Sequence, residues 1–467
     1  MAGRFVVENA CVLTQNETRQ VIPRASVLVE DGRVADVSES KINAGAAQVV
    51  DGEGMALMPG LVNAHSHIMC ILLRGGLGAD RRLMDWRLNV MAPGQVAYTP
   101  EDAALSVKLF ACEAIRSGTT AVVTNERVPI PLAEAMIEAM DDSGMRSVFA
   151  LSFNEMSPSG KLAERAHSHI AAWGKTFPPS LKTREEVLEE TSHLVDKYHG
   201  RSAGRVLVWP GPNIPVYVKP ETFREVDEWA GKRGLRVSTH VSEDPMESEV
   251  GGLPVVQHLA AWGLLSERLV AGHCIHLSEE DIRLLKESGT QVVHLPSSNM
   301  YLGSGVSPVP RMLGYGIPVA LGTDNANCND LVNMFWEIRL ACLLHKGVHQ
   351  DPAAITAQQV LDMATRNGGR ALGLEAETGS IEVGKRADMI LLDMSGPHMH
   401  PNHHLPSVLA YQTHGTEVRW VWVDGEPLME AGRLSKVSEE EERSIREEAQ
   451  TASAAIVERA GLVVPGA

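Results

Sequence analysis

His65-Ser66-His67 closes an apolar run that begins at Ala56 and reads through Val62. Alternate residues of a strand point to one face, so the two imidazoles leave the strand end together. They make half of a site for Zn²⁺ or Fe²⁺, which accept nitrogen ligands. The chain carries its own control. His167-Ser168-His169 repeats the tripeptide inside KLAERAHSHIAAW, where the apolar spacing is helical. There the two histidines diverge by about 200° around the helix and read as decoration. A bare HxH is also what a strand ending in two surface histidines shows, so the first copy needs partners.

Partners stand at the ends of other strands. From Pro59 onward the pattern alternates, with apolar strand candidates at 61–67, 119–125, 146–153, 205–211, 235–240, 268–273, 290–295 and 317–324. Helical stretches lie between them at 101–117, 131–143, 183–198, 221–232 and 279–288. Eight buried-looking strands alternating with helices predict an α/β fold, a TIM-like (β/α)8 barrel. No G-x-G-x-x-G follows a strand, which counts against a doubly wound sheet. The first strand ends in His65 and His67, the fifth in His240, the sixth in His273 and the eighth in Asp324. A barrel gathers its C-terminal strand ends on one face, where catalysis is found. His65, His67, His240 and Asp324 are therefore expected to hold one divalent cation and leave a position for water, whose pKa falls toward ~7. Glu243, three residues after His240, is expected to carry protons between water and leaving group. His273 would polarise the electrophile or orient the water, and Asp324 would also accept a hydrogen bond from it.

The flanks differ from the barrel. RFVVENACVLT and SVLVEDGRVADV are β-rich, with a hairpin signal at Asp31-Gly32; RADMILLD and VRWVWVDGEPL return to strand chemistry, with a second at Asp424-Gly425. Residues 1–57 and 380–435 are expected to form a small β-sandwich domain, 58–379 the barrel, and 436–467 a closing helix and tail. The formal charge of −17 argues against nucleic acid or anionic membrane as a partner. Six scattered cysteines without a CxxC pair fit free thiols in a reducing compartment. With no signal-like N-terminus and no apolar run near the ~20 residues of a membrane span, a cytoplasmic protein is expected.

The motifs PGLVNAHSH, STHVSE, AGHCIH, PSSNMYLGSG, GTDNANCND and GSIEVGKRADMILLD, in this order, resemble the amidohydrolase superfamily. The likeness is to its cyclic-amidine branch, which holds the triazine hydrolases (melamine deaminase and atrazine chlorohydrolase) and S-adenosylhomocysteine deaminases. It runs from the first β segment through the C-terminal helix. The resemblance implies a mononuclear centre, Zn²⁺ or alternatively Fe²⁺, held by His65, His67, His240 and Asp324, with Glu243 and His273 catalytic. No Lys stands at the end of the fourth strand, RVLVWPG, where a carbamate bridging two metals would sit. A homo-oligomer is implied too.

The implied substrate is a small electron-poor N-heterocycle, triazine-, pyrimidine- or purine-like, that loses an amino or halide substituent. Trp86, Gln95, Asn125 and Asn299 are candidate pocket residues, because planar heterocycles need an aromatic or apolar wall and matching amides. Asn325 and Cys328, beside Asp324, occupy the neighbourhood associated with leaving-group choice. Asn325 is not an acid and Cys328 is a weak one, so C–N and C–Cl cleavage both stay open, with amine release preferred. Where the triazine enzymes carry Gln shortly after HxH, this chain has Ile68-Met69-Cys70; where they place an acid after the second strand, it has Thr124-Asn125-Glu126. An amide, urea or cyclic imide is the alternative substrate, and usually goes with two metals. A non-enzymatic assembly protein would be expected to have lost one of the six residues. Arg74, ahead of Gly75-Gly76, reads as structural, and His398, His400, His403 and His404 read as a proline-rich loop. His276 stays open between a supporting and a surface role.

Overall fold

In the computed structural model, residues 3–43, 45, 47–156, 181–245, 247 and 252–464 are described. The second His-Ser-His, at 167–169, lies outside them. Five strands precede the first histidine pair: β1 (Phe5–Leu13), β2 (Val21–Glu30), β3 (Arg33–Ser38), β4 (Gln48–Asp51) and β5 (Met55–Pro59). Parallel strands then follow with helices between them: β6 (Leu61–His67), β7 (Thr119–Glu126), β8 (Arg146–Phe153), β9 (Val206–Pro212), β10 (Val237–Val241), β11 (Leu269–His273) and β12 (Gln291–His294). Strands β7 and β8 are buried at every position, which is why their sequences are apolar runs rather than alternations. The intervening helices Pro100–Arg116, Arg184–Tyr198 and Glu279–Ser288 each begin with a capping box, at Thr99, Thr183 and Ser278.

The eighth strand differs from the single element expected over 317–324. It divides into β13 (Val319–Leu321), which pairs with β12, and β14 (Asp324–Asn325), which pairs with Ser66 and His67 of β6. The break falls at Gly322, where a Cβ would sit 2.6 Å from the carbonyl oxygen of His65, so the close approach of the two backbones admits only glycine. The Asn63 side chain bonds beside it, donating to Thr323 Oγ1 at 2.8 Å and accepting from the Thr323 N–H at 3.1 Å. The barrel wall thus consists of two arcs, β14-β6-β7-β8-β9 and β10-β11-β12-β13. At the β9/β10 junction the His240 N–H donates to the Asn213 carbonyl at 3.0 Å.

After the barrel come β15 (Met389–Asp393), β16 (Val418–Val423), β17 (Glu426–Glu430) and β18 (Arg433–Leu434). They join the N-terminal strands in one nine-stranded sheet, ordered β18-β17-β16-β15-β5-β1-β2-β3, with β4 also on β1. The two ends of the chain meet edge to edge, Pro59 opposite Met389, and so make one hydrogen-bonded sheet rather than the two of a sandwich. Its own core includes Val7, Val12, Val27, Met389, Leu391 and Trp422. Both Asp-Gly pairs are hairpin turns with positive φ, 49° and 78° at Asp31-Gly32 and 49° and 69° at Asp424-Gly425. The turns touch: a Cβ on Gly32 would lie 2.6 Å from the Asp424 carbonyl oxygen. Arg146, at the start of β8 and fully buried, ties barrel to sheet by hydrogen bonds to Asp388 at 2.8 and 3.0 Å and to Asp424 at 2.7 Å. The helix Glu439–Ala460 packs on Pro100–Arg116, pinned by Arg116 to Glu442 at 2.6 Å. Among the described residues no helix is long and apolar enough to cross a membrane.

Candidate active site

The histidines at the strand ends converge. His67 Nδ1 donates to the carbonyl of Asn125, and His240 Nδ1 donates to that of Asn213 at 2.7 Å. With both Nδ1 protons engaged, each Nε2 carries a lone pair, and these two atoms face one another at 3.1 Å. His67 Nε2 is 3.4 Å and His65 Nε2 3.8 Å from Asp324 Oδ1. His65 Nε2 is buried without a hydrogen-bond partner. Its Nδ1 lies 3.2 Å from the side-chain amide nitrogen of Asn125. A tetrahedral Zn²⁺ with bonds of ~2.1 Å separates its ligand atoms by about 3.4 Å. Opposed lone pairs at such spacings repel unless a cation lies among them, so the donor set fits a divalent metal. Burial, then the neighbouring imidazoles, push His65 and His240 well below the usual histidine range, which keeps them neutral as ligands must be.

Glu243 and His273 stand beside this set. Glu243 is 5% exposed; burial raises its carboxyl, the nearby His273 opposes the rise and Asp324 adds to it. His273 Nε2 lies 3.7 Å from Glu243 Oε2 and 4.0 Å from Asp324 Oδ2, while its Nδ1 donates to Asn299 Oδ1 at 2.9 Å. Burial disfavours charge on His273, but the Glu243 and Asp324 carboxylates outweigh it and raise the imidazole. Asp324 Oδ2 accepts from Ser298 Oγ at 2.5 Å. Three of the segments that deliver these groups hold non-glycine residues in the left-handed region: Ser242 (φ 51°), His273 (φ 70°) and Asp324 (φ 61°). Such strain persists where the surroundings over-determine the backbone, and here it accompanies side chains aimed at one point.

Of the expected pocket residues, Trp86, Gln95, Asn125 and Asn325 line the cavity with His67, His240, Glu243, His273 and Asp324. Trp86 is fixed by its indole N–H on Asn327 at 3.1 Å. Asn299 and Cys328, expected as substrate contacts, are not on the cavity wall. PSSNMY forms the short helix Pro296–Tyr301, which presents Asn299 to the far nitrogen of His273 and Ser298 to Asp324. Cys328 Sγ sits 3.3 Å from Ser298 Oγ and 3.3 Å from the Asn325 carbonyl, and burial pushes its thiol well above the usual range. Glu126 is fully buried and accepts from Thr124 Oγ1 at 2.6 Å and the Met69 N–H at 3.1 Å, so it braces the segment after His67. Arg74 pairs with Glu113, the structural role expected of it. His276 supports a loop by donating to the Ser304 carbonyl at 2.9 Å. His398 donates to Glu417 at 2.7 Å, and that carboxylate also caps the N–H groups of His414 and Gly415 at 3.0 and 2.9 Å, a clasp for a turn.

Several residues at the site had no sequence signal. Glu247, 3% exposed, accepts from the N–H groups of Ser242 at 2.9 Å, Glu243 at 3.2 Å and Asp244 at 3.2 Å, and so cradles the turn that carries Glu243. Burial, then the charge of Glu243, push its carboxyl up to about 8. Arg87, in the segment after β6, and Arg127, directly after β7, also face the cavity. Only the four-residue spacing from Glu243 could have hinted at Glu247.

Comparison with known proteins identifies the family. Residues 56–428 match the Amidohydrolase family. A 5-methylthioadenosine/S-adenosylhomocysteine deaminase of Caldanaerobacter subterraneus is 34% identical over 440 residues, spanning 93% of this chain and 95% of the relative. An S-triazine hydrolase of Gordonia rubripertincta is 31% identical over 467 residues, spanning 98% and 97%. The crystal structure of an adenosine deaminase from Xanthomonas campestris with bound zinc superposes with a TM-score of 0.84 at 29% identity, covering 96% of this chain and 98% of that one. With most of its length matched by the family and by these relatives, the chain belongs to the amidohydrolase family of metal-dependent hydrolases.

Proposed function

We propose that this hydrolase is an aminohydrolase that removes an amino group from an electron-poor N-heterocycle, purine-, pyrimidine- or triazine-like, with one divalent cation per chain. Zn²⁺ is the first choice and Fe²⁺ the alternative. The observation that carries the reading is the pair of Nε2 atoms of His67 and His240, 3.1 Å apart with both Nδ1 protons already committed, beside His65, Asp324 and a buried Glu243. Bound by His65, His67, His240 and Asp324, such a cation supplies an activated water at neutral pH and a Lewis acid for the oxygen that adds to the ring.

The chain's own residues do the rest. Glu243, its carboxyl raised by burial, takes one proton from the water as the ring carbon is attacked and gives it to a ring nitrogen, then moves the second proton, from the added hydroxyl, to the departing amine. His273, anchored through Nδ1 on Asn299, turns Nε2 toward Glu243 and Asp324 and stabilises negative charge as it develops. Trp86 and Gln95 supply an aromatic wall and an amide for a planar ring. Amine release is favoured over chloride because an amine must be protonated to leave. Glu243 is placed to do so, whereas the Cys328 thiol, raised by burial, is no acid at neutral pH. The deaminases of adenosine analogues among the relatives support a purine-type ring, and the S-triazine hydrolase keeps triazines in the series.

Metal content of the purified protein, with release of ammonia and of chloride measured across purines, pyrimidines, pterins and triazines, tests the proposal. About one Zn or Fe per chain with ammonia release supports it. Chloride release alone moves the chemistry to dehalogenation, and two metals per chain move it to amide or imide hydrolysis. Glu243→Gln should keep the metal and lose turnover by ~100-fold or more; full activity in that variant would remove Glu243 from the mechanism.

A further inference from the structure

We propose that Arg87 and Arg127 form an anion subsite in the cavity, so that the preferred substrate carries an oxyanion, a carboxylate or a phosphate, away from the reacting carbon. This inference rests on the aminohydrolase reading and adds a substrate class to it.

Both arginines line the same cavity as His67, His240, Glu243 and Asp324. Among the described residues, neither guanidinium has an ion-pair or hydrogen-bond partner within bonding distance; Arg87 lies 5.9 Å from the centroid of the Tyr217 ring and acts on Glu243 only at longer range. Among the described residues, other arginines with little exposed side chain, Arg146 and Arg205, are ion-paired. Arg146 binds Asp388 and Asp424, and Arg205 binds Glu426. Arg127 is the opposite case. Burial, and then the positive charge of Arg87, push it down to about 10, opposed only by the Tyr217 phenol, and no carboxylate stands among the groups that act on it. Placing two cations near each other in a shielded cavity is costly unless an anion joins them. The guanidinium fork matches the paired oxygens of carboxylate and phosphate. Two such forks in one wall are a receptor for that chemistry, and the uncharged rings of simple triazines make no use of it. The rest of the molecule does not supply it: at −17 net charge the surface repels anions, so the arginine pair is a local exception. Ser152 and Asn213, on the same lining, add neutral polar groups.

The test is equilibrium binding by calorimetry to the zinc-loaded Glu243→Gln protein, which holds its ligand without turning it over. The probes are adenosine, adenosine 5′-carboxylate and adenosine 5′-monophosphate, with inorganic phosphate as a ring-free anion. At least one anionic nucleoside should bind ten times or more tighter than adenosine, and which one does so separates carboxylate from phosphate. Arg87→Met and Arg127→Met should each remove most of that preference while leaving adenosine within threefold, and Arg127→Lys should keep part of it. Equal affinity for all three nucleosides, or a preference unchanged in the Met variants, overturns the subsite. If no nucleoside binds but phosphate binds in an arginine-dependent way, the ring assignment falls and the anion subsite stands. If phosphate binding too ignores both arginines, the subsite falls.

Discussion

Replacing Glu247 by Ala isolates what holds the general acid in place. Glu247 touches no residue of the metal set, yet its two carboxyl oxygens accept from three consecutive N–H groups, those of Ser242, Glu243 and Asp244, at 2.9, 3.2 and 3.2 Å. The turn is buried at Ser242 and Glu243, and Ser242 is held at φ 51°. Without Glu247, three donors in a shielded turn lose their acceptor at about 1 kcal/mol each, ~3 kcal/mol together if the turn stays put. The turn can instead relax, which displaces Glu243. At 1.36 kcal/mol per factor of ten, ~3 kcal/mol corresponds to a fall of roughly 100-fold in turnover. The loss should appear in kcat, because Glu247 contacts neither ring wall nor metal ligands, and metal content should stay at the parent value. Glu247→Gln, which keeps one acceptor oxygen, should recover part of the rate. The assay is ammonia release at saturating substrate, with metal analysis on the same samples. An Ala variant within threefold of the parent would refute the positioning argument. So would a variant that loses metal and activity in proportion, since the defect would then lie in the cation site.

The clamp between barrel and sheet should be worth more than its single arginine suggests. Arg146→Met strands the buried Asp388, whose carboxyl, raised by burial, is held below the usual range by Arg146, and breaking such a pair costs about 3–5 kcal/mol. The Asp388 contribution is present above the unfolded pKa of ~3.9 and is lost as pH falls through the folded value, so the gap between parent and variant in urea midpoint should be wide at pH 7 and narrow below pH 4. His294 and His345 form a buried neutral pair with Nε2 atoms 3.2 Å apart; burial pushes His294 well below the usual range and His345 down to about 4. The unfolded chain binds these protons first, so their stability is intact above pH ~6.5 and declines toward pH 4 by up to ~1.4 kcal/mol per pH unit for each group. A double Leu variant that keeps the parent's acid slope would contradict this. Chelation should lower the unfolding temperature, and added Zn²⁺ should restore it, by up to ~4 kcal/mol at a thousandfold excess over Kd. His240→Ala should abolish that difference.

The strand ends that carry the site were readable because each closed a short, mainly apolar run at a histidine or aspartate, and burial on both faces leaves little else such a run can be. The split of the eighth strand was not readable, since it falls where Gly322 meets the backbone of His65 on the neighbouring first barrel strand, a contact between residues far apart in the chain. Asn299 was legible as important but not in kind. A motif fixes which residues occur together, whereas only the short helix Pro296–Tyr301 decides that its amide faces the back of His273 rather than the cavity. Glu247, Arg87 and Arg127 were missed for a shared reason. A charged residue in a polar segment after a strand looks like a solvated one until its surroundings are known, and what sets these apart is burial together with the presence or absence of a partner.

The pairing of β5 with β15 has a consequence for how the protein is made. One edge of β5 meets its partner only when residues 389–393 arrive, after the whole barrel has been synthesised. Until then the ribosome-bound chain presents an unpaired apolar edge, Met55 to Pro59, joined through Gly60 to the strand that carries the first two histidines. Such an edge is a template for pairing with other chains. The terminal strands therefore set the hazard of synthesis as well as the last step of folding, and a chain truncated before residue 389 should aggregate even though most of its barrel sequence is present.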